Sequence, residues 1–299
     1  MSTLKIAAGQ LSSSSNLAQN LRVVKKLLQK AHGAHSRILF LPEATDYLSR
    51  NANHSIELAQ QVQDQFLSPL QEYIKNLNGS TYVSIGIHLP GEKRVKNLHL
   101  LIDPQGDIVS EYQKVHLFDV DVPNGPILKE LNSVEPGNKI EEPVLVDDFK
   151  VGLGICYDIR FPELALRLRK LGSDIITFPS AFTTKTGEAH WELLSKARAV
   201  DSQCFVVNAA QCGKHDVGKD PKDESKVITR VSYGDTIIVD PWGQVLARGK
   251  KYTDELPKDE DGDYYEIVYA GLDRENLSKV RANMPLLEHR RPDVFGYEI

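Results

Sequence analysis

A chain of 299 residues with 41% hydrophobic and 26% charged residues has the composition of a globular protein, in one large domain or two modest ones. Its 36 basic and 41 acidic residues give a net charge of −5, and no basic run is interleaved with aromatic residues, so we expect no nucleic-acid partner. No apolar run approaches the roughly 18 residues that span a bilayer, and the first residues lack a secretory signal pattern, so we expect no membrane contact and a cytoplasmic protein.

The first half of the chain predicts the element order βαβαβββ. Apolar residues at helical spacing (Leu17, Leu21, Val24 and Leu28) follow a first strand, and a second helical region covers residues 55–77 with an interruption at Pro69. The predicted strands cover residues 4–11, 37–43, 82–89, 97–106 and 108–117.

The second half repeats this alternation of strands and helices. Helices are predicted over residues 161–172 and 187–200, between strands over 150–157, 174–180 and 204–211 and before a hairpin over 236–247. The segments "IDPQGDIV" from Ile102 and "VDPWGQVL" from Val239 match in pattern. Pro42 and Pro179 show the same offset of 137 residues that separates Ile102 from Val239. Two equivalent halves favour sheets stacked in a four-layer α-β-β-α sandwich, although the pattern also permits one doubly wound sheet.

Two charge-rich segments interrupt this plan. Residues 214–226 ("KHDVGKDPKDESK") and 253–265 ("TDELPKDEDGDYY") are nearly free of apolar periodicity, so we expect surface loops.

Three cysteines, Cys156, Cys204 and Cys212, form an odd number without C-x-x-C spacing. This usage is typical of a reducing compartment and leaves at least one free thiol; we expect neither a disulfide framework nor a metal site. Cys156 lies where a strand leads into a helix with Pro162 in its first turn, and a helix N-terminus can favour a thiolate. The alternative is a small buried side chain, because free cysteines are often buried and inert.

Two further strand ends carry ionisable residues. Glu43 follows an apolar run in "ILFLPEATDY", where burial would raise its pKa toward a value suited to a general base; alternatively, it is a solvated residue at the end of a strand. Lys114 ends an alternating strand, and beside a cysteine it would stabilise both a thiolate and an oxyanion, although most lysines are simply solvated.

The segments "FLPEA", "YQKVHLF" and "GICYDIRFPEL" resemble the signature blocks of the nitrilase (carbon–nitrogen hydrolase) superfamily, in the same order and across essentially the whole chain. The resemblance implies a single domain over residues 1–299, an α-β-β-α sandwich that usually forms a homodimer, a small-molecule amide substrate, and chemistry that needs no cofactor.

The resemblance also implies roles for individual residues. Glu43 corresponds to the general base, Lys114 to the oxyanion stabiliser and Cys156 to the nucleophile. Glu130 corresponds to a second glutamate that supports the lysine and positions the substrate, and the backbone N–H of Tyr157 would complete the oxyanion site.

Longer blocks, such as "PSAFTTKTGEAHWELLSKARAV" and "HRRPDVFGY", resemble the branch that hydrolyses deaminated glutathione to 2-oxoglutarate and cysteinylglycine; omega-amidases acting on 2-oxoglutaramate form the neighbouring branch. Arg160 can grip a 2-oxo acid carboxylate, although it could instead pair with Asp158 or Glu163. Phe182 and Thr186 are expected in the same pocket; alternatively, they are a core residue and a helix-start residue.

The sequence departs from the family pattern in two places. Gly234, Asp235 and Thr236 stand where relatives commonly have Gly-His-Ser, and residues 214–226 are a long insertion. Both departures affect the expected substrate more than the expected chemistry. His116 and His190 are expected to be structural, and a non-catalytic protein that kept the fold remains the alternative from another class.

Overall fold

The computed structural model describes residues 3–121, 127–220 and 223–296. The strands are β1 Thr3–Leu11, β2 Ile38–Phe40, β3 Tyr82–Pro90, β4 Val95–Ile102, β5 Ile108–Gln113, β6 Asp119–Asp121, β7 Ile127–Lys129, β8 Val134–Glu135, β9 Val144–Val146, β10 Phe149–Leu153, β11 Ile175–Thr177, β12 Phe205–Asn208, β13 Cys212–Asp220, β14 Asp223–Tyr233, β15 Ile237–Val239, β16 Val245–Arg248 and β17 Tyr265–Asp273. The helices are α1 Leu17–Gly33, α2 Ala52–Val62, α3 Ser68–Asn76, α4 Pro162–Lys170, α5 Thr184–Ser202, α6 Arg274–Asn283 and α7 Pro292–Phe295. None of the helices in these ranges is long and apolar enough to cross a membrane.

Two large sheets have matching topology. The first has the order β17-β1-β2-β3-β4-β5, with β8 added beside β4, and the second has the order β16-β15-β12-β11-β10-β9. In each sheet three neighbouring strands are parallel, β1 to β3 and β10 to β12, and antiparallel strands flank them. Parallel strands need crossover connections, which the helices between them supply.

The strands of the first sheet alternate between two cores. Ile6 and Phe40 face a core shared with the second sheet and with α4 and α5, whereas their neighbours Ala7 and Leu39 face a core shared with α1, α2 and α3. The layers are therefore helices, first sheet, second sheet and helices. The predicted four-layer α-β-β-α sandwich is confirmed, and the alternative of one doubly wound sheet is wrong.

The internal repeat is visible in the hairpins β4–β5 and β15–β16. Ile102 pairs with Ile108 and Val239 with Val245, each next to a register shift. Gly106 and Gly243 occupy the left-handed region at equivalent turn positions, with φ of 85° and 88°, where a residue with a Cβ is strained. The two halves thus share turn geometry as well as strand order.

The local predictions had different outcomes, and the loop predicted over residues 214–226 is wrong. The segment 214–226 belongs to the antiparallel hairpin of β13 and β14, with Pro221 and Lys222 outside the described residues, because charged side chains do not prevent an extended two-stranded ribbon. The region 55–77 is helical through a π-helical turn, Gln63–Leu67, and Pro69 starts α3 because proline fits the first helical turn. Residues 253–264 form the expected loop, and β17 begins at Tyr265.

Candidate active site

A cleft of about 660 Å³ opens where strands of both sheets end. Glu43 follows β2 and Lys114 follows β5 of the first sheet, and Cys156 follows β10 of the second. All three line the cleft together with Glu130, which follows β7. β5 runs in the same direction as β2 because the antiparallel β4 lies between β3 and β5, so Glu43 and Lys114 lie at one edge of the first sheet. The second sheet packs on the first and brings Cys156 to the same cleft.

Lys114 lies between two carboxylates. Its Nζ donates to Glu43 Oε1 at 2.9 Å and to both Glu130 oxygens, at 3.0 and 2.9 Å. The lysine side chain is only 2% exposed, so these bonds replace its water shell. The backbone N–H of Phe118 also donates to Glu130 Oε2, at 2.7 Å, and fixes that carboxylate in place.

Glu43 is held by further donors that were not identified from the sequence. Asn97 Nδ2 donates to Glu43 Oε1 at 2.9 Å and to Glu130 Oε1 at 3.2 Å, and the backbone N–H of Ala181 donates to Glu43 Oε2 at 3.1 Å. The Cys156 thiol lies close enough to this carboxylate to contribute to lowering the pKa of Glu43. The carboxylate therefore connects the lysine to the cysteine. Asn97 lies in the middle of β4, where the sequence pattern suggested only a strand.

Cys156 sits on a strained turn with φ of 44°, an uncommon value for a residue with a side chain. Its backbone N–H donates to Pro179 O at 2.9 Å, next to β11. Asp158 accepts from the Ile155 N–H at 2.9 Å and from the Tyr112 hydroxyl at 2.8 Å. This bracing maintains a conformation that presents the sulfur to the cleft, as strained turns at functional sites do.

The charges of the site differ from the sequence-based expectation. Burial and the Glu43 carboxylate raise the pKa of the Cys156 thiol against the opposing effect of Lys114, so the thiol is neutral at rest and the stabilisation of a thiolate considered from the sequence does not prevail. Cys156 begins a short 3-10 turn, Cys156–Arg160, and α4 starts only at Pro162, so the cysteine does not lie in the first turn of that helix.

The expected rise in the pKa of Glu43 is also wrong. Burial raises its pKa, but the charge and hydrogen bond of Lys114 outweigh burial, and the pKa lies below its ordinary value. Burial alone would lower the pKa of Lys114, yet Glu130 and Glu43 hold it well above its ordinary value. The resting site therefore contains a thiol, a lysine cation and an ionised Glu43.

The four residues proposed from the sequence for substrate contact all line the cleft: Tyr157, Arg160, Phe182 and Thr186. The Arg160 guanidinium lies 5.8 Å from the Tyr157 ring centre and 5.7 Å from that of Phe182. Within the described parts of the chain no carboxylate pairs with Arg160, so the alternative partners Asp158 and Glu163 are excluded. Its guanidinium remains open to a ligand.

The alternatives for Phe182 and Thr186 are each partly right. Phe182 is 8% exposed and packs on Trp191, with ring centres 4.9 Å apart, so it belongs to the core and to the cleft wall. The Thr186 N–H donates to Thr183 Oγ1 at 3.3 Å, the N-cap bond of α5. Both residues therefore have structural contacts and also line the cleft.

The histidines expected to be structural make protein contacts. His116 Nδ1 lies 2.7 Å from Asp158 Oδ1, and its ring stacks on Phe161 at 3.7 Å; His190 Nδ1 lies 3.3 Å from Arg160 Nη2. Two other histidines, His88 and His215, line the cleft without a distinctive sequence signal.

One carboxylate cluster could suggest a metal. Oxygens of Asp259, Asp261 and Asp263 lie within 4.8 Å of one another. Lys26 Nζ donates to Asp259 and to Asp261, each at 2.6 Å, and lies 3.4 Å from Asp263. The Lys26 ammonium thus occupies the position that a metal ion would take. Its ion pairs join the loop of residues 253–264 to α1.

A four-layer sandwich that brings a glutamate, a lysine and a cysteine together in one cleft defines a class of hydrolases acting on carbon–nitrogen bonds. Residues 5–282 match the model of the carbon-nitrogen hydrolase family, and the chain belongs to this family. It is similar to deaminated glutathione amidase of Mus musculus, 37% identical over 297 residues that cover 97% of this chain and 84% of that protein. It is also similar to the probable hydrolase nit2 of Schizosaccharomyces pombe, 41% identical over 97% of this chain and 98% of that protein.

Solved structures agree with this membership. The NitFhit protein of C. elegans superposes with a TM-score of 0.84 at 35% identity, covering 99% of this chain and 66% of that longer chain. Nit3 of Saccharomyces cerevisiae superposes with a TM-score of 0.73 at 26% identity, covering 96% of this chain and 97% of that chain.

Proposed function

We propose that this protein is a cysteine-dependent amidase that hydrolyses deaminated glutathione to 2-oxoglutarate and cysteinylglycine. The observation that carries the proposal is the network in which Glu43 connects the Lys114 cation to the Cys156 thiol inside an open cleft. Similarity to relatives named deaminated glutathione amidase supports the choice of substrate.

In the proposed acylation, Glu43 removes the thiol proton as the Cys156 sulfur attacks the amide carbon. The neutral resting thiol and the ionised Glu43 carboxylate are the protonation states this step requires. Lys114 and the backbone N–H of Tyr157 stabilise the oxyanion. Glu43 then returns the proton to the leaving amine, the carbon–nitrogen bond breaks, and a thioester remains.

In the proposed deacylation, Glu43 removes a proton from water as the water oxygen attacks the thioester carbonyl. The carbon–sulfur bond breaks, the acid leaves, and the proton returns to sulfur, so the enzyme regains its resting state. Glu130 holds Lys114 throughout, because it accepts two hydrogen bonds from the ammonium while Glu43 changes its charge. Every step uses only residues of the chain and water.

Arg160 is proposed to bind the carboxylate of the 2-oxo acid. Its planar guanidinium lies over two aromatic rings, which orient it, and the described residues offer it no competing carboxylate. Phe182 and Thr186 form the adjoining wall.

The second candidate substrate is 2-oxoglutaramate, which has the same acyl group and releases ammonia. A comparison of kcat/KM for the two substrates tests the choice: the proposal predicts a higher value for deaminated glutathione, and a clear preference for 2-oxoglutaramate would make the protein an omega-amidase. Absence of turnover of both substrates by correctly folded wild type would instead support a non-catalytic protein.

We further propose that the chain acts as a single-domain cytoplasmic homodimer. The active-site residues come from both sheets, which supports one functional domain, and all three cysteines are free thiols, which supports a reducing compartment. Exposed apolar side chains support dimerisation: Leu193 and Trp242 are each 65% exposed and Val200 is 44% exposed. Leu193 and Val200 lie two helical turns apart on one face of α5, and a Cβ added to Gly243, the neighbour of Trp242, would lie 3.1 Å from Val200 Cγ2.

A further inference from the structure

One wall of the cleft is formed by the segment 49–51 together with residues 228–232 of β14, which we call the hairpin wall. Residues 228–232 follow closely after the insertion 214–226 that departs from the family pattern, in the same hairpin of β13 and β14. Arg230 lies on this wall, paired in register with His215 of β13, and its Nη1 donates to Ser49 O at 2.9 Å. This bond joins the hairpin to the neighbouring segment and fixes one edge of the guanidinium.

The other edge of the Arg230 guanidinium is free for a ligand. Across the three described stretches of the chain, no carboxylate forms an ion pair with it, and Ser49 O is its sole hydrogen-bond acceptor. Arg230 is exposed on the wall of the cleft; partial burial lowers the pKa of its guanidinium, and the charges of Glu43 and Glu130 oppose that shift. Arg230 lines the same cleft as Glu43 and Cys156.

A second arginine strengthens the positive charge of the hairpin wall. Arg50 lines the cleft, and its Nη1 lies 3.3 Å from His54 Nε2. Its Nε is buried and finds no acceptor among the described residues. The wall thus offers two guanidinium groups to the cleft, and an arginine fork matches the geometry of a carboxylate.

The arginines of the cleft belong to different walls. Arg160 lies over Tyr157 and Phe182, where the acyl part of the substrate is proposed to bind, whereas Arg230 lies on the hairpin wall. An amide substrate extends on both sides of its scissile bond. If Arg160 takes the acyl carboxylate, a cation on another wall is available to the amine part.

We propose that Arg230 binds a carboxylate on the leaving group, so that the enzyme selects amides whose amine part is a peptide-like acid. This inference rests on the proposed function, because it assumes an acyl group held by Arg160. It explains how one cleft distinguishes a peptide-like leaving group from ammonia: binding energy from the remote carboxylate is used at the reacting bond.

The test compares three substrates with the same acyl group: deaminated glutathione, its C-terminal carboxamide, and 2-oxoglutaramate. In the wild type, the free acid should be hydrolysed with a higher kcat/KM than the carboxamide. Arg230→Gln, whose amide can still donate to Ser49 O, should lower the acid-to-carboxamide ratio by roughly 10- to 100-fold, the value of a charge-assisted hydrogen bond. Arg230→Lys should restore part of the ratio, because it restores the charge without the fork.

Lys129→Gln is the matched control, since it removes a positive charge from an exposed residue elsewhere on the rim of the cleft and should leave the ratio unchanged. Equal losses for the acid and the carboxamide in Arg230→Gln would indicate a structural role and overturn the inference, as would an unchanged ratio. Either result leaves the proposed function intact if wild type still hydrolyses 2-oxo acid amides. Absence of turnover for all three substrates in wild type would overturn both.

Discussion

At the scale of single residues, the proposed reactive groups could be named from the sequence, but the directions of their pKa shifts could not be predicted. Glu43, Lys114 and Cys156 were identified by residue type at strand ends and by resemblance. Their protonation depends on distances of about 3 Å between groups far apart in sequence, which no local pattern contains. For the same reason Asn97 and Arg230 were missed, because each becomes informative only once its neighbours are placed.

Replacement of Glu43 by glutamine should lower kcat by roughly 10²- to 10⁴-fold, because the amide cannot accept the thiol proton. The measurement is steady-state release of 2-oxoglutarate at saturating substrate. Glu57→Gln, the same change at an exposed position on α2, serves as the control and should retain full activity. Comparable activity of Glu43→Gln and wild type would refute the assigned base.

The pH dependence of kcat/KM should reflect the lowered pKa of Glu43. A depressed pKa keeps the carboxylate ionised as the pH falls, so the acid limb of the profile should lie below pH 4.5, the ordinary value of a glutamic acid, with no loss between pH 7 and 5.5. The profile should be measured by short initial-rate assays after confirming that the fold persists. A loss of activity centred near pH 6 would contradict the assignment.

At the scale of elements, strand and helix order followed from hydrophobic periodicity, but close approaches between elements did not. Gly86 of β3 passes the Glu43 backbone so closely that an added Cβ would lie 2.5 Å from Glu43 Cα. The hairpin β13–β14 was mistaken for a loop over residues 214–226 because charged side chains dominate that segment, and β17 was overlooked because it begins within the charged segment 253–265. Partner strands, rather than local sequence, define both elements.

Gly86→Ala should therefore damage the active site from outside the cleft. Backbone atoms cannot move aside as a flexible side chain would, so we expect at least a tenfold loss of kcat and a decrease of about 1–3 kcal/mol in the free energy of unfolding. Activity assays and chemical denaturation measure the two effects. Gly33→Ala, at the end of α1 where an added Cβ meets nothing within 4 Å, is the matched control and should change neither value adversely.

His99, which links the two sheets, should make the free energy of unfolding depend on pH. His99 Nδ1 donates to Gly154 O at 2.8 Å across the sheets and Nε2 accepts from Ser84 Oγ at 2.6 Å; burial lowers its pKa to about 4. As the pH falls, the unfolded chain, whose histidine pKa is about 6.5, takes up a proton before the folded protein does. The free energy of unfolding is therefore unaffected by the titration of His99 above pH 6.5 and decreases as the pH drops toward 4. The loss is at most about 3 kcal/mol for this histidine.

Denaturant titrations at pH 7 and pH 5 test this dependence. The free energy of unfolding should decrease less between pH 7 and pH 5 in His99→Asn, which cannot titrate, than in wild type. The control His35→Asn changes an exposed residue in the left-handed region, which asparagine tolerates, and should show the same decrease as wild type. An equal decrease in all three proteins would exclude His99 as the cause.

At the scale of the whole molecule, the four-layer sandwich was predictable because the two halves repeat one plan. Matching segments at Ile102 and Val239 became equivalent hairpins with equivalent turns. The way the layers shape one cleft was not predictable, since its walls combine both sheets with the inserted hairpin. The surface around Trp242 was likewise hidden, because exposure of an apolar residue depends on the complete fold.

The apolar surface of Leu193, Val200 and Trp242 should mediate dimerisation. Light scattering should give about twice the mass of one 33.5 kDa chain for wild type, and Leu193→Asp combined with Trp242→Ser should shift the mass to one chain, because a buried charge opposes association. Leu145→Ser, at an exposed position on the opposite edge of the second sheet, should leave the mass at two chains. A wild-type mass of one chain would contradict the proposed homodimer.

The central claim is that Cys156 catalyses hydrolysis of a 2-oxo acid amide. Its most direct test is the release of 2-oxoglutarate from deaminated glutathione by wild type and by Cys156→Ala, with Cys204→Ala as a control that removes another buried thiol. We predict turnover by wild type and by Cys204→Ala, and loss of at least three orders of magnitude in Cys156→Ala with its fold preserved. Turnover retained in Cys156→Ala, or absent in wild type, would contradict the account.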